Sequence, residues 1–479
     1  MLSKFSLDRL RFAAHWRLQK LSNLLAPSIP APDTVHGGVP PDPAEVFASM
    51  TEHMENARSN ALSTEVLFQA RLSIIDTLAC VFAGIASKEG QSILALHNIS
   101  KVHFLDQGRV ASARDHAGLI AALAQIHDFN DGFQGAEQRG GAFHPGRVIV
   151  PTALAAGIHH SVRGKDLLTA IALGYDLACH TSHTPMSTPA DSYGAAGCSA
   201  WLARLAPAQI AFAIRVAALM SPRSGSEDFE TNNLTVAQQA ASCVLATELV
   251  EAGYPISRAR SESLQAPKFN FSRPSYPGES FNELYRKPYP CCRDIHRAID
   301  AALQLRASAQ DLFSSIVTEA VHDHAASQID SIDVEVPSSL AGPVYALPAG
   351  EYYKSYQFSI PYVIAVALVD GAVGLEQFTE SRSGDPNVHY LQSKVRLQQE
   401  EPTGRAAKFA RITVRLSTGE TLESECTDAT GSPDKPLTEE DLFEKLHENA
   451  ESAGLNVTTL AQNLRTLAAA EDVADKLTL

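Results

Sequence analysis

The sequence predicts a mainly α protein with a smaller α+β domain, and three observations predict it. Between about Ala44 and Tyr254, apolar residues recur at three-to-four spacing with few strand-like alternations. After about residue 280 the period drops to two, over Gln328 to Pro337 and again over Lys408 to Cys426. A last helical stretch then opens at Thr438-Glu439-Glu440-Asp441, a capping-box pattern.

The elements follow in order. Residues 1–25 carry Lys4, Arg9, Arg11, Arg17 and Lys20 against Asp8 alone, with Leu2, Phe5, Leu10, Phe12 and Leu18 between them. Such an amphipathic, acid-poor segment suits either a mitochondrial import sequence or a basic surface helix, so a mitochondrial or cytoplasmic location is expected. Residues 26–45 hold six prolines and form a linker. Helices are expected at 64–85, 114–127, 151–162, 165–180, 194–205, 207–220 and 235–252, with Pro151 and Pro207 at helix starts, where a missing N–H is tolerated. Several are apolar on nearly every side, which calls for burial against other helices or a second subunit. In the α+β part, Gln328–Pro337 reads as a strand and Lys408–Cys426 as a hairpin turning at Ser417-Thr418-Gly419-Glu420, with helices at 292–308 and 357–370. The expected division is an extension and linker (1–45), a large helical domain (46–280), an α+β lid domain (281–430) and C-terminal helices returning to the helical domain (431–479).

Composition narrows the function. The chain is 45% apolar and 19% charged, which excludes a disordered protein. Its 54 acids and 39 bases give a net charge of −15, which argues against nucleic acid as the main partner. The longest apolar stretch, Val66 to Ile85, is interrupted by Arg71 and Asp76, so no membrane span is expected. Seven dispersed cysteines with no CxxC pair read as reduced thiols. A P-loop, GxGxxG, HExxH and GxSxG are all missing. His159-His160 and His322-Asp323-His324 are too local to build a metal site alone, and no cofactor is expected.

Two stretches could carry chemistry. The first is Ile126-His127-Asp128-Phe129-Asn130-Asp131-Gly132-Phe133 at the end of an apolar helix, followed by a glycine-rich loop and His144-Pro145-Gly146. Asp128 could serve as a base and His144 as a proton shuttle. The plainer reading makes Asp128 and Asp131 helix caps and His144 a turn residue. The pair His127-Asp128 also suggests a metal phosphohydrolase, though the further ligands do not stand out. The second stretch is Arg286-Lys287-Pro288-Tyr289-Pro290-Cys291-Cys292, where Lys287 and the start of a helix could bind an anion.

Together the two stretches resemble the MmgE/PrpD family, which includes 2-methylcitrate dehydratase, cis-aconitate decarboxylase and iminodisuccinate epimerase. The family pattern resembles A-L-D-F-D-D-T, a His-Pro-Ser/Gly turn and K-P-Y-P-C-C. This chain carries HDFNDGF at 127–133, HPG at 144–146 and KPYPCC at 287–292. Weaker echoes at 72–80, 174–178 and 356–371 extend the likeness over most of the chain.

The resemblance implies a helical domain that forms a homodimer, a closing lid, and cofactor-independent lyase chemistry on small di- or tricarboxylates. Dehydration of an alkylcitrate is the leading form, with decarboxylation or epimerisation as the alternative. It also carries roles onto Asp128, His144 and Lys287 as catalytic residues and Tyr345 as a lid tyrosine at the site. Two positions depart from the pattern. Gly132 stands where the motif has threonine, and Asn232 stands where decarboxylases place a carboxylate-binding lysine. His183 is the nearest counterpart of the second site histidine. These departures leave room for a substrate with fewer carboxylates or a bulkier apolar group, or for a scaffold that has lost activity.

Overall fold

The computed structural model describes residues 43–101, 105, 112–134, 144–183, 190–222, 231–255, 269–318, 329–337, 353–400 and 409–478. The N-terminal basic segment, the proline-rich linker up to residue 42, His322–His324 and Tyr345 lie outside them.

Ser63 begins the central helix. Its hydroxyl accepts the Val66 N–H at 3.3 Å, and the chain is helical over Thr64–Ala86. An unbroken run of this helix, Leu72 to Ile85, is buried. Around it stand the helices Pro43–Ser59, Lys88–Leu96, Ala113–Gln125, Gly146–His159, Gly164–Cys179, Ala190–Leu202, Pro207–Met220 and Asn232–Glu251. Their apolar side chains merge into one cluster, which also takes in Leu442, Leu446, Leu460 and Leu464 from the C-terminal helices Glu439–Ser452 and Thr458–Arg465. Thr64–Ala86 is long and apolar enough to cross a membrane, and here its side chains line this core.

Two small antiparallel ribbons stitch this part together. Strand β1 (Gly132–Phe133) pairs with β4 (Leu284–Tyr285), and β2 (Thr181–His183) pairs with β3 (Phe269–Phe271). A second apolar cluster forms between a four-stranded sheet and the helices His296–Ser308, Ile360–Asp370 and Pro386–Lys394. The sheet contains β5 (Ile329–Pro337), β6 (Val395–Glu400), β7 (Ala410–Leu416) and β8 (Thr421–Cys426) in the order β6-β5-β7-β8. Ile332, Val334 and Val336 face the core from β5, and Ile412 and Val414 from β7. The hairpin β7–β8 turns at Gly419, which has φ +87°.

Two details differ from expectation. Pro151 does not open its helix but lies inside Gly146–His159. The turn at Pro145 starts the helix early, its carbonyl accepting the Val148 and Ile149 N–H groups, so Pro151 falls in the second turn. The sheet also contains β6, which pairs in parallel with β5 and alternates only over Val395-Arg396-Leu397-Gln398, too short a run to mark it in advance.

A buried cation ties the parts together. Lys445, 7% exposed, comes from the apolar face of Glu439–Ser452. Its ammonium bonds Asp76 Oδ1 at 2.8 Å and the carbonyls of Phe129 and Lys287 at 3.0 Å each, and it lies 3.6 Å from the centre of the Phe129 ring. Lys445→Met would leave a buried carboxylate unpaired, so we expect a loss of about 3 kcal/mol or more. Urea titration would show it as a lower midpoint at unchanged slope. The double variant Asp76→Leu/Lys445→Met should recover part of the loss, because no charge is then stranded. A single variant as stable as the wild type would refute this role.

Candidate active site

The helix Ala113–Gln125 is capped by Ser112 and ends in a tight turn. Asp128 closes that turn with φ +49°, a left-handed conformation that Asp tolerates better than most residues. This reversal directs the next residues back across the core. The Phe129 carbonyl accepts from Cys80 Sγ at 3.1 Å as well as from Lys445. Asn130 and Asp131 are buried, and the chain then pairs as β1 with β4. Because β4 runs directly into Arg286 and Lys287, this two-residue ribbon brings the two motif stretches together.

The second stretch is anchored from several sides. Arg286 bonds the Gln69 carbonyl at 3.1 Å and Ser73 Oγ at 3.2 Å, and its N–H donates to the Gly431 carbonyl at 2.9 Å. Gly431 has φ +86°, and a Cβ there would lie 1.9 Å from the Arg286 carbonyl, so only glycine allows this approach. Gln357, 3% exposed, donates to the carbonyls of His127 at 2.8 Å and Pro290 at 2.6 Å. One amide therefore bridges both motifs.

Asp128, His144 and Lys287 converge. Lys287 Nζ lies 2.9 Å from Asp128 Oδ2 and 2.6 Å from the Asp128 carbonyl. His144 Nε2 lies 3.9 Å from Asp128 Oδ1. Exposure differs sharply: the Lys287 side chain is fully enclosed, His144 is 12% exposed and Asp128 22%. The surface of the site is thus a carboxylate and an imidazole, with the ammonium sealed behind them.

The state of His144 follows from its partners. Burial pushes its pKa down, helped by the positive charge of Lys287, to about 3. The ring is therefore neutral near pH 7 and carries one proton. Nδ1 lies 2.7 Å from the Asp131 carbonyl, which can only accept, so Nδ1 holds the proton. Nε2 is left with a free lone pair directed to the Asp128 side, the arrangement of a proton acceptor.

Asp131 secures this geometry. Its carboxylate accepts the Gly146 N–H at 3.0 Å and the Tyr175 hydroxyl, which fixes the start of the helix after His144. Burial, with Asp76 adding to it, raises the Asp131 carboxyl to about 6.

The other expected residues fare differently. Asn232 opens its helix half-buried, and no hydrogen bond joins it to Asp128, His144 or Lys287. The His183 backbone pairs with Phe269 in β2–β3. Among the described residues, no three His, Cys, Asp or Glu side chains are grouped to hold a metal ion. The His159 and His160 rings meet edge-on, with centroids 4.9 Å apart, and His160 lies 3.8 Å from Glu251. All seven cysteines are free thiols. Sequence reasoning missed Lys445, Gln357 and Tyr285. For Lys445 a signal existed: a lone cation among Leu442, Phe443 and Leu446 on an apolar helix face.

The MmgE/PrpD N-terminal domain matches residues 48–263, and the MmgE/PrpD C-terminal domain matches residues 289–466. The chain belongs to the MmgE/PrpD family. It is 25% identical to a human protein named cis-aconitate decarboxylase, over 90% of this chain and 93% of that protein. It is 23% identical to the mouse protein of the same name, over 85% and 86% of the two chains.

A pH experiment checks the electrostatics. Asp131 keeps its proton to about pH 6 when folded, whereas an ordinary carboxyl in the unfolded chain loses it near 4. Between those values the folded state binds more protons, so this group makes stability fall as pH rises, with no further change above about 7. Against Asp131→Asn, the wild type should lose on the order of 3 kcal/mol of relative stability from pH 4 to 7. A difference that stays constant across that range would contradict the assignment.

Proposed function

We propose that this family member is a lyase that forms a carbanion beside a carboxylate of a citrate-like or aconitate-like acid, with dehydration of an alkylcitrate as the leading reaction. The supporting observation is the pairing of a neutral His144, its free Nε2 turned to the site, with the Asp128–Lys287 ion pair. The family membership gives the lyase class its weight.

In this reading His144 Nε2 removes the proton from the carbon next to a carboxylate. Negative charge then develops on that carboxylate, and the enclosed Lys287 ammonium counters it across a water-poor gap, where a charge is felt more strongly than in water. Asp128 relays a proton from Lys287 to the departing hydroxyl, which leaves as water. His144 ends protonated and the Asp128–Lys287 pair ends one proton short, and exchange with solvent resets both. Lys287 thus works through Asp128 rather than by direct contact, in keeping with its zero exposure.

Decarboxylation is the second reading, and the names of the human and mouse relatives favour it. There carbon dioxide departs to leave the carbanion, and a protonated group returns a proton to carbon. Both reactions draw on the same charges.

The test is to incubate the protein with 2-methylcitrate, cis-aconitate and iminodisuccinate and follow the products by NMR. Conversion of one acid is expected, with kcat falling roughly 100- to 10,000-fold in His144→Gln. With His144 near 3, kcat/KM should show no loss from its protonation between pH 8 and 5. Turnover of none of the three, or His144→Gln with unchanged kcat, would rule the proposal out.

A further inference from the structure

We propose that Tyr285 is a further substrate-contacting residue, whose phenol O–H donates a hydrogen bond to an oxygen of the bound acid beside His144. This deepens the lyase reading and rests on it.

The first observation is where the phenol sits. In the β1–β4 ribbon Tyr285 is the direct partner of Gly132. A Cβ built on Gly132 would lie 2.0 Å from the Tyr285 oxygen and 2.1 Å from the ring carbon that carries it. The hydroxyl thus fills the space of the side chain that residue 132 lacks. In the motif this chain resembles, that position is a threonine.

The second observation is that this hydroxyl is bonded to none of the described residues. Tyr285 is 4% exposed, and its oxygen makes no hydrogen bond to any described residue. It is therefore free to donate to a ligand oxygen.

The third is its neighbours. The ring stands edge-on to His144, with centroids 6.3 Å apart and planes at 84°. The Arg293 guanidinium lies 3.9 Å from the ring centre on its face and donates to Gln134 Oε1 at 3.0 Å. The ring is therefore held between the proposed base and a cation, which places the O–H where an anionic substrate would meet it. Burial, joined by the negative charge of Asp128, raises the phenol well above its ordinary value, so it keeps its proton and acts as a donor. A phenol donor with a guanidinium nearby suits a carboxylate-bearing ligand, and it offsets in part the missing cation at Asn232.

Tyr285→Phe is the decisive variant, because it keeps the ring, its packing and the Arg293 contact and deletes only the hydroxyl. With the acid that the wild type converts, kcat/KM should fall about 10- to 100-fold. The melting temperature without ligand should stay unchanged or rise. Gly132→Ala, which pushes the phenol aside with a Cβ, should reproduce the loss. Citrate serves as the binding probe, read as the shift in melting temperature it causes. If the wild type binds citrate but converts none of the three acids, the lyase reading fails, and Tyr285 is judged by whether Tyr285→Phe shrinks that shift. Wild-type kcat/KM in Tyr285→Phe, or an undiminished citrate shift, would overturn the proposal. A wild type that neither converts nor binds any acid would overturn both.

Discussion

One buried ammonium group sets the geometry on which the rest depends. Lys445 has three hydrogens to donate, and it donates to one carboxylate and two backbone carbonyls. The carbonyls belong to Phe129 and Lys287, residues 158 positions apart in the chain. Asp128 adjoins the first, and the side chain of Lys287 leaves from the second. The charge that fastens the C-terminal helix to the core therefore also sets the distance between the proposed relay groups. A buried charge tolerates little displacement, since each lost partner leaves it poorly solvated. That intolerance makes it a better ruler than an apolar contact, which costs little to slide.

The same logic explains why the site holds so much charge and yet a neutral imidazole. Lys287, Lys445, Arg286 and Arg147 lie around Asp128, Asp131, Asp76 and Asp191, largely out of water. Each cation meets a carboxylate or a carbonyl, whereas His144 faces a carbonyl on one nitrogen and a partly exposed carboxylate almost 4 Å from the other. At that distance Asp128 raises the imidazole pKa, but burial and Lys287 outweigh it. A shorter His144–Asp128 contact would favour the imidazolium and remove the lone pair a base needs. The looseness of this one contact among many tight ones is what leaves Nε2 able to accept a proton.

Much of this was legible in the sequence, for physical reasons. The helices announced themselves because burying one face of a helix imposes a 3.6-residue period over many residues. The β7–β8 hairpin did so because a strand with one face buried alternates and its turn needs Gly419. Asp128, His144 and Lys287 could be singled out because each lies in a short motif stretch, and their side chains lie within 4 Å of one another in the order Lys287–Asp128–His144. What stayed hidden depends on pairing over long distances. β1 and β4 are two residues each, too short for any periodicity, yet they align the motifs. Pro151 misled because the helix start was set by the preceding His-Pro turn rather than by the next proline. Tyr285 was invisible because its meaning lies in the glycine across the ribbon, and Gly132 alone looked like a loss.

The enclosure of Lys287 changes what its role can be. A lysine that binds a carboxylate directly must show its ammonium to the ligand, and here Asp128 and the Asp128 carbonyl cover it. Direct contact would require Asp128 to leave its strained turn and an ion pair at once. Relay through Asp128 requires neither, because the carboxylate already has one oxygen on Lys287 and the other toward His144. The left-handed backbone at Asp128 sets the direction in which this carboxylate leaves the turn. It places one carboxylate oxygen 2.9 Å from Lys287 Nζ and the other 3.9 Å from His144 Nε2, the two groups between which the proposed relay would run.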